Sequence, residues 1–214
     1  MVAINKHNKA LKRDSCRVAF LVCGDFCGEN GLRIAGLCGT HPLTRRYATS
    51  LGYKMSIQGI VSSTWSDILQ LQQGVYLSVE PESLEVLQSK WLRSPETCFV
   101  FNEDSQVMGY LLAHSWNTEI PPKLFKPLPS NTEGSILFLH DLAVRKSDSG
   151  KGIGKKLIAQ LLKTAHLQGY EQILLVAVQN SVNFWKKQGF IPLNQKVNEC
   201  YGEGAQLMRR VLVA

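Results

Sequence analysis

Residues 135–190 read SILFLHDLAVRKSDSGKGIGKKLIAQLLKTAHLQGYEQILLVAVQNSVNFWKKQGF, and this stretch decides the fold. Its hydrophobic pattern gives a strand, a glycine loop, an amphipathic helix, a second apolar strand and a short helix. Strand, helix and strand in that order make a βαβ unit. Ile153, Leu157, Ile158, Leu161, Leu162 and Ala165 form the apolar stripe of the long helix, predicted from Gly152 to about Gln168. Gly150, Gly152 and Gly154 stand at its mouth. Residues without a Cβ let an anion approach backbone N–H groups closely, and the positive end of the helix points at the same place. The mouth therefore suits a phosphate. A bare turn with solvated lysines would leave Lys151, Lys155 and Lys156 clustered against the helix dipole for no reason.

Two familiar phosphate motifs do not fit. A P-loop needs four residues between its glycines and a hydroxyl residue after the lysine. Here three residues separate Gly150 from Gly154, and Lys156 stands where the hydroxyl should be. A dinucleotide fingerprint needs an acidic residue at the end of the second strand. That strand ends Ala177-Val178-Gln179, with no carboxylate.

The stretch resembles the GNAT superfamily of acyl-CoA N-acyltransferases. The family's Gln/Arg-x-x-Gly-x-Gly/Ala signature is matched by Ser149-Gly150-Lys151-Gly152-Ile153-Gly154, with Ser149 in place of the usual Gln or Arg. Leu139–Val144 is similar to the family's fourth strand. Phe184-Trp185-Lys186-Lys187-Gln188-Gly189-Phe190 is similar to its fourth helix and the Gly-Phe that follows. The likeness extends over about residues 56–214. It implies an α/β (α+β) fold with a mixed, mostly antiparallel sheet of six to seven strands and about four helices. It also implies acetyl transfer from acetyl-CoA, as cosubstrate and without metal, to a primary amine by direct attack in a ternary complex. The implied CoA contacts are Ser149, Gly150, Lys151, Gly152, Ile153, Gly154 and Lys155 in the loop. The backbone of Leu142, Ala143 and Val144 would serve the oxyanion, and Asn180, Ser181 and Trp185 the pantetheine arm. Asn180 reads equally well as a helix N-cap, and Trp185 equally well as a core residue.

An alkyl ammonium has a pKa near 10, so the reaction needs a base. His140 and Asp141 are the titratable residues on the strand before the loop. Adjacent strand residues face opposite sides of a sheet, so only one of them is expected at the substrate. Asp141, sharing a face with Ala143, is favoured over His140, sharing a face with Leu142. His114 is a lesser candidate. Many family members carry a tyrosine acid where this chain has Trp185, and an indole N–H is no useful acid. Tyr201 or Cys200 could replace it, or the thiol could leave unaided. Trp185 and Ser149 also motivate the alternative, a non-catalytic acyl-CoA-binding regulatory module.

The rest of the chain fits around this unit. Residues 56–63 read as a strand, 68–74 as a short helix, and 83–92 as a helix with Leu84, Leu87, Trp91 and Leu92 on one face. Residues 97–101 and 107–116 form a hairpin about Asn102–Ser105. The proline-rich stretch 117–133, with Trp116 and Phe125, and the acids Glu80, Glu82 and Glu85 are expected around the acceptor amine, a small molecule or a peptide. The formal charge is +7 over 214 residues, but residues 1–54 hold nine Lys/Arg against three Asp/Glu, and 55–214 hold fifteen against fourteen. The catalytic part is thus near neutral, which argues against a nucleic-acid partner. No apolar run nears the ~18 residues of a membrane span. Residues 1–54 read as a basic, Cys-rich, poorly ordered extension, and 55–214 as the acetyltransferase domain. The spacing of Cys16, Cys23, Cys27 and Cys38 matches no recurring zinc pattern. The expected setting is cytoplasmic, or mitochondrial if 1–54 is a transit peptide, and the expected state is monomer or homodimer.

Overall fold

The computed structural model describes residues 55–76 and 81–212. The readings that concern residues 1–54, and the one that concerns Glu80, lie outside these. Among the described residues seven strands form one sheet in the order β1-β2-β3-β4-β5-β7-β6. They are β1 (Met55–Gly59), β2 (Phe99–Glu103), β3 (Gln106–Trp116), β4 (Ile136–Val144), β5 (Gln172–Ala177), β6 (Ile191–Pro192) and β7 (Gln206–Val211). Among the described residues only β4 and β5 pair in parallel, and a helical crossover joins them. The helices are α1 (Trp65–Val75), α2 (Leu84–Arg93), α3 (Ile153–Leu167) and α4 (Val182–Lys187). The mixed α/β architecture read from the sequence is the one observed.

Local chemistry explains most elements. The β2–β3 hairpin turns through Asp104 and Ser105, with φ of 48° and 69°, the left-handed pair of a two-residue turn. Helix α3 buries Ile153, Leu157, Ile158, Leu161 and Ala165, with Leu162 packed against the same core. Its stripe meets Leu137, Leu139, Ile173 and Leu175 on one sheet face. On the opposite face, Trp65, Ile68 and Leu71 of α1 and Leu87 of α2 pack on Val100, Tyr110 and Leu112. Helix α2 departs from the predicted face. Leu84 and Leu92 are exposed, while Val86, Leu87 and Lys90 are buried. The buried lysine follows from a carboxylate waiting for it, described below.

A bulge in β4 positions the site. Leu112 pairs with Asp141 and Ala113 with Leu139, so His140 is an extra residue with no partner on β3. The alternation of faces slips there. Leu137 and Leu139 face α3, and so do Leu142 and Val144 beyond the slip. Phe138 and Ala143 face the other way. His140 and Asp141 therefore lie on one face together, which corrects the expectation that they diverge. Asp141 does share its face with Ala143, but Leu142 is opposite His140. Beyond the bulge the sheet also opens: β4 pairs with β5 only from Ile136↔Gln172 to Leu139↔Leu175. From His140 onward the β5-facing edge of β4 is unpaired, and alternate backbone groups point into a cleft.

Candidate active site

The glycine loop forms the outer end of this cleft. Gly152 caps α3 at φ 77° and ψ 11°, a left-handed conformation that costs an L-residue ~1–2 kcal/mol. The first turn of α3 thus opens outward with its N–H groups uncovered by side chains. A Cβ built on Gly154 would meet Phe184 Cζ at 3.4 Å and Leu142 Cδ2 at 3.7 Å. Both of those residues line the cleft, so any larger side chain at position 154 would project into it. Ile153 is buried in the core and offers only its backbone.

The lysines divide. Lys151 Nζ bonds Asp148 Oδ1 at 2.7 Å, which holds the Asp148 carboxyl below its ordinary value. Lys156 lies over the Phe101 ring at 5.3 Å, near Met55, and is turned away from the loop. Lys155 is exposed and makes no hydrogen bond or ion pair among the described residues. Ser149 is exposed beside Gly150.

The cleft has a volume of about 210 Å3 and is walled by Leu142, Ala143 and Val144 of β4, by Ser181 just before α4 and by Phe184 and Trp185 of α4. Trp185 is a core residue, edge-on to Phe184 and Phe190, that also faces the cleft. Its Nε1–H donates to Ser181 Oγ at 3.2 Å, so Ser181 orients the indole and makes no side-chain cap. Asn180 is corrected: it is exposed at φ 59° and does not line the cleft, where its neighbours Gln179 and Ser181 do.

A second cavity, of about 90 Å3, adjoins the first on the α1–α2 side. The two share Tyr76, His140, Asp141, Val176 and Val178. The bulge therefore carries its titratable pair to the junction of the cavities. Asp141 accepts the hydroxyl of Tyr76 on one oxygen and that of Tyr110 on the other. Burial raises the Asp141 carboxyl above its ordinary value, and the two hydroxyls only partly oppose this. Both tyrosines are pushed well above the usual phenol range, by burial first and by the neighbouring Asp141 second.

His140 is held differently. Its Nε2 meets Glu82 Oε2 at 2.6 Å, and Lys90 Nζ donates to the same oxygen at 2.9 Å. Glu82 Oε1 accepts the Phe125 N–H at 2.7 Å. Burial alone would raise Glu82, but His140 and Lys90 together hold it at about 2. Burial lowers Lys90 from its usual value, against the pull of Glu82. His140 Nδ1 is enclosed without a hydrogen-bond partner. His114, fully buried, places Nδ1 2.9 Å from the Ser115 carbonyl, and burial drives its pKa down to about 3. A carbonyl only accepts, so Nδ1 carries the proton, and His114 is removed from the cavities.

Of the remaining expectations, Phe125 and Glu82 line this second cavity, while Glu85 is exposed on α2 and Trp116 stands elsewhere, its Nε1 donating to Ile120. Tyr201 lines the cavity, but its hydroxyl donates to the Pro122 carbonyl at 2.6 Å, and burial raises its pKa, so it is a poor acid. Cys200 is exposed. The sequence reading missed Tyr76, Tyr110 and Lys90. Among them Lys90 alone left a trace, as a lysine on the helix row of Val86 and Leu87.

Residues 65–190, more than half of the chain, match the profile of the acetyltransferase (GNAT) family. The fold is similar to the loading GNATL domain of CurA from Lyngbya majuscula, at 10% identity and a TM-score of 0.64, over 74% of this chain and 98% of that one. It is similar to Ard1 from Thermoplasma volcanium, at 15% identity and a TM-score of 0.56, over 75% and 99%. It is also similar to Arabidopsis thaliana Naa50, solved with the bisubstrate analogue CoA-Ac-MVNAL, at 16% identity and a TM-score of 0.55, over 73% and 97%. A sheet split between two parallel strands, a glycine loop at its mouth and a profile match across both together place this chain in the GNAT acetyltransferase family.

Proposed function

We propose that this protein is an acetyl-CoA-dependent N-acetyltransferase acting on a primary amine in a ternary complex. The observation that carries the reading is the meeting of two cavities at Asp141, where β4 leaves β5. The cleft against α4 takes the acetyl-pantetheine arm, with the pyrophosphate on the Gly150–Gly154 loop. The fit rests on the bare mouth of α3 and on Gly154, whose missing side chain leaves the cleft open beside Leu142 and Phe184. Naa50 with its CoA-peptide analogue, and a Thermoplasma acidophilum N-acetyltransferase in complex with coenzyme A, support the choice of cosubstrate on this fold.

The amine enters from the second cavity. Its nitrogen attacks the thioester carbonyl carbon, an N–C bond forms, and the C–S bond breaks. Backbone N–H groups on the unpaired edge of β4 beyond Leu139 stabilise the oxyanion. Asp141 accepts the proton that the nitrogen loses. Its raised pKa moves it toward the operating pH, where a base is most effective, and the two tyrosine hydroxyls fix its orientation. His140, fixed by Glu82 and Lys90, is a positioning residue beside it. CoA leaves as thiolate and takes up a proton from water, since no tyrosine stands at Trp185.

The test is thiol release from acetyl-CoA with a panel of amines. Asp141→Asn should lower kcat by about 10²–10⁴-fold and remove the acidic limb of the rate profile, with acetyl-CoA affinity retained. Acetyl-CoA binding with no release for any amine would favour the non-catalytic acyl-CoA-binding module instead.

A further inference from the structure

The acceptor-side cavity differs in chemistry from the cleft. Its walls are apolar, formed by Leu124 and Phe125 of the 117–133 loop and by Val176 and Val178 after the sheet splits. Its polar groups are two carboxylates, two hydroxyls already committed, the His140 ring held through Nε2 by Glu82, and the Gln72 amide. Glu82 and Asp141 are carboxylates on its floor, and the Tyr76 and Tyr201 hydroxyls donate to Asp141 and to the Pro122 carbonyl. Gln72, itself only 4% exposed, lines the same cavity with its Oε1 buried and without a hydrogen-bond partner. No lysine or arginine lines it among the described residues. The nearby Lys90 has no exposed side-chain area and is bound to Glu82. The residues that join Tyr76 to Pro81 in sequence, Leu77, Ser78, Val79 and Glu80, include no cation.

Such a lining offers two carboxylates and an open amide oxygen to hydrogen-bond donors, and no lysine or arginine to an anion. A carboxylate entering here would lose hydration without gaining a lysine or arginine partner. It would also sit beside Glu82, which His140 and Lys90 keep ionised. The apolar wall favours the neutral form of an amine, the form that attacks, against the pull of Glu82 and Asp141 toward the ammonium. The volume of about 90 Å3 has room for roughly six to nine water-sized groups.

Resting on the acetyl-transfer reading of this site, we infer that the acceptor is a small, apolar primary monoamine that carries no carboxylate or phosphate. The free amino acids are excluded by the same chemistry. In the step described above, the amine loses one proton to Asp141 as sulfur gains one, and the product is a neutral amide plus CoA.

The experiment compares matched pairs on the full chain with acetyl-CoA: 2-phenylethylamine against phenylalanine, and 3-methylbutylamine against leucine, with phenylalaninamide and a tripeptide as further arms. Each amine should exceed its amino acid by about 100-fold or more in kcat/KM, with the amide between. Leu124→Trp, which fills the cavity from the loop, should raise the amine KM by about tenfold or more and leave acetyl-CoA affinity unchanged. Amino acids turned over within tenfold of their amines would overturn this inference alone. So would a tripeptide acetylated in preference to every small amine, or an unchanged KM in Leu124→Trp. Acetyl-CoA bound without turnover of any arm would overturn the acetyl-transfer reading itself, and this inference with it.

Discussion

The buried Glu82–Lys90–His140 cluster is where single residues matter most. Lys90 has no exposed side-chain area and Glu82 has 7%. Removing one partner of a buried pair leaves an uncompensated charge and costs about 3–5 kcal/mol, whereas removing both is far milder. Lys90→Met should therefore lower the denaturant midpoint strongly, and Glu82→Gln with Lys90→Met should recover much of the loss. A double variant no better than Lys90→Met would mean that the pair is not the source. Acid stability is set by neighbouring groups with opposite signs. The unfolded chain protonates histidine near 6.5, but folded His114 resists protonation down to about 3, so stability falls as pH drops below 6.5. Glu82 adds a second loss as pH falls from its ordinary 4.5 toward about 2. Asp141, whose carboxyl is raised, works the other way and gains stability on protonation. His114→Gln should flatten the limb between pH 6.5 and 4.5 in a series of urea melts, and leave the lower limb in place.

Among the elements, α3 and β4 divide the work of the site. The helix was legible in the sequence because its information is local: a stripe repeating every three to four residues, and glycines at one end. The hairpin was legible for the same reason. The bulge was not, since it is a relation between two strands. Nothing in Leu139–Val144 alone says that Leu112 and Ala113 will skip His140. The Asp141 clamp was hidden for a related reason: Tyr76 and Tyr110 stand 65 and 31 residues away from it in the chain. At the loop, Gly154→Glu should abolish CoA binding in calorimetry while the melting curve stays cooperative. The new Cβ meets only ordinary contacts, but the carboxylate beyond it projects toward the anion. Unchanged CoA affinity in that variant would remove the loop from the site.

On the scale of the molecule, the family match and both cavities fall after residue 54, and nearly all the excess charge falls before it. A chain beginning at Met55 should melt cooperatively and bind acetyl-CoA with the affinity of the full chain, measured by calorimetry on both. A loss of more than tenfold would show that the first quarter contributes to binding. The slip at His140 also bears on how this gene can change. In most strands an in-frame loss of one codon shifts the pairing and is rejected. Here, losing the codon for residue 140 would restore strict alternation and keep every pairing of β4 with β3, so the fold has a route to survive it. What would vanish is the imidazole that Glu82 was placed to hold. A codon-deletion scan along β4 should show one tolerated position for folding amid intolerant neighbours, and lineages that drop it would keep the scaffold with a different proton-handling site.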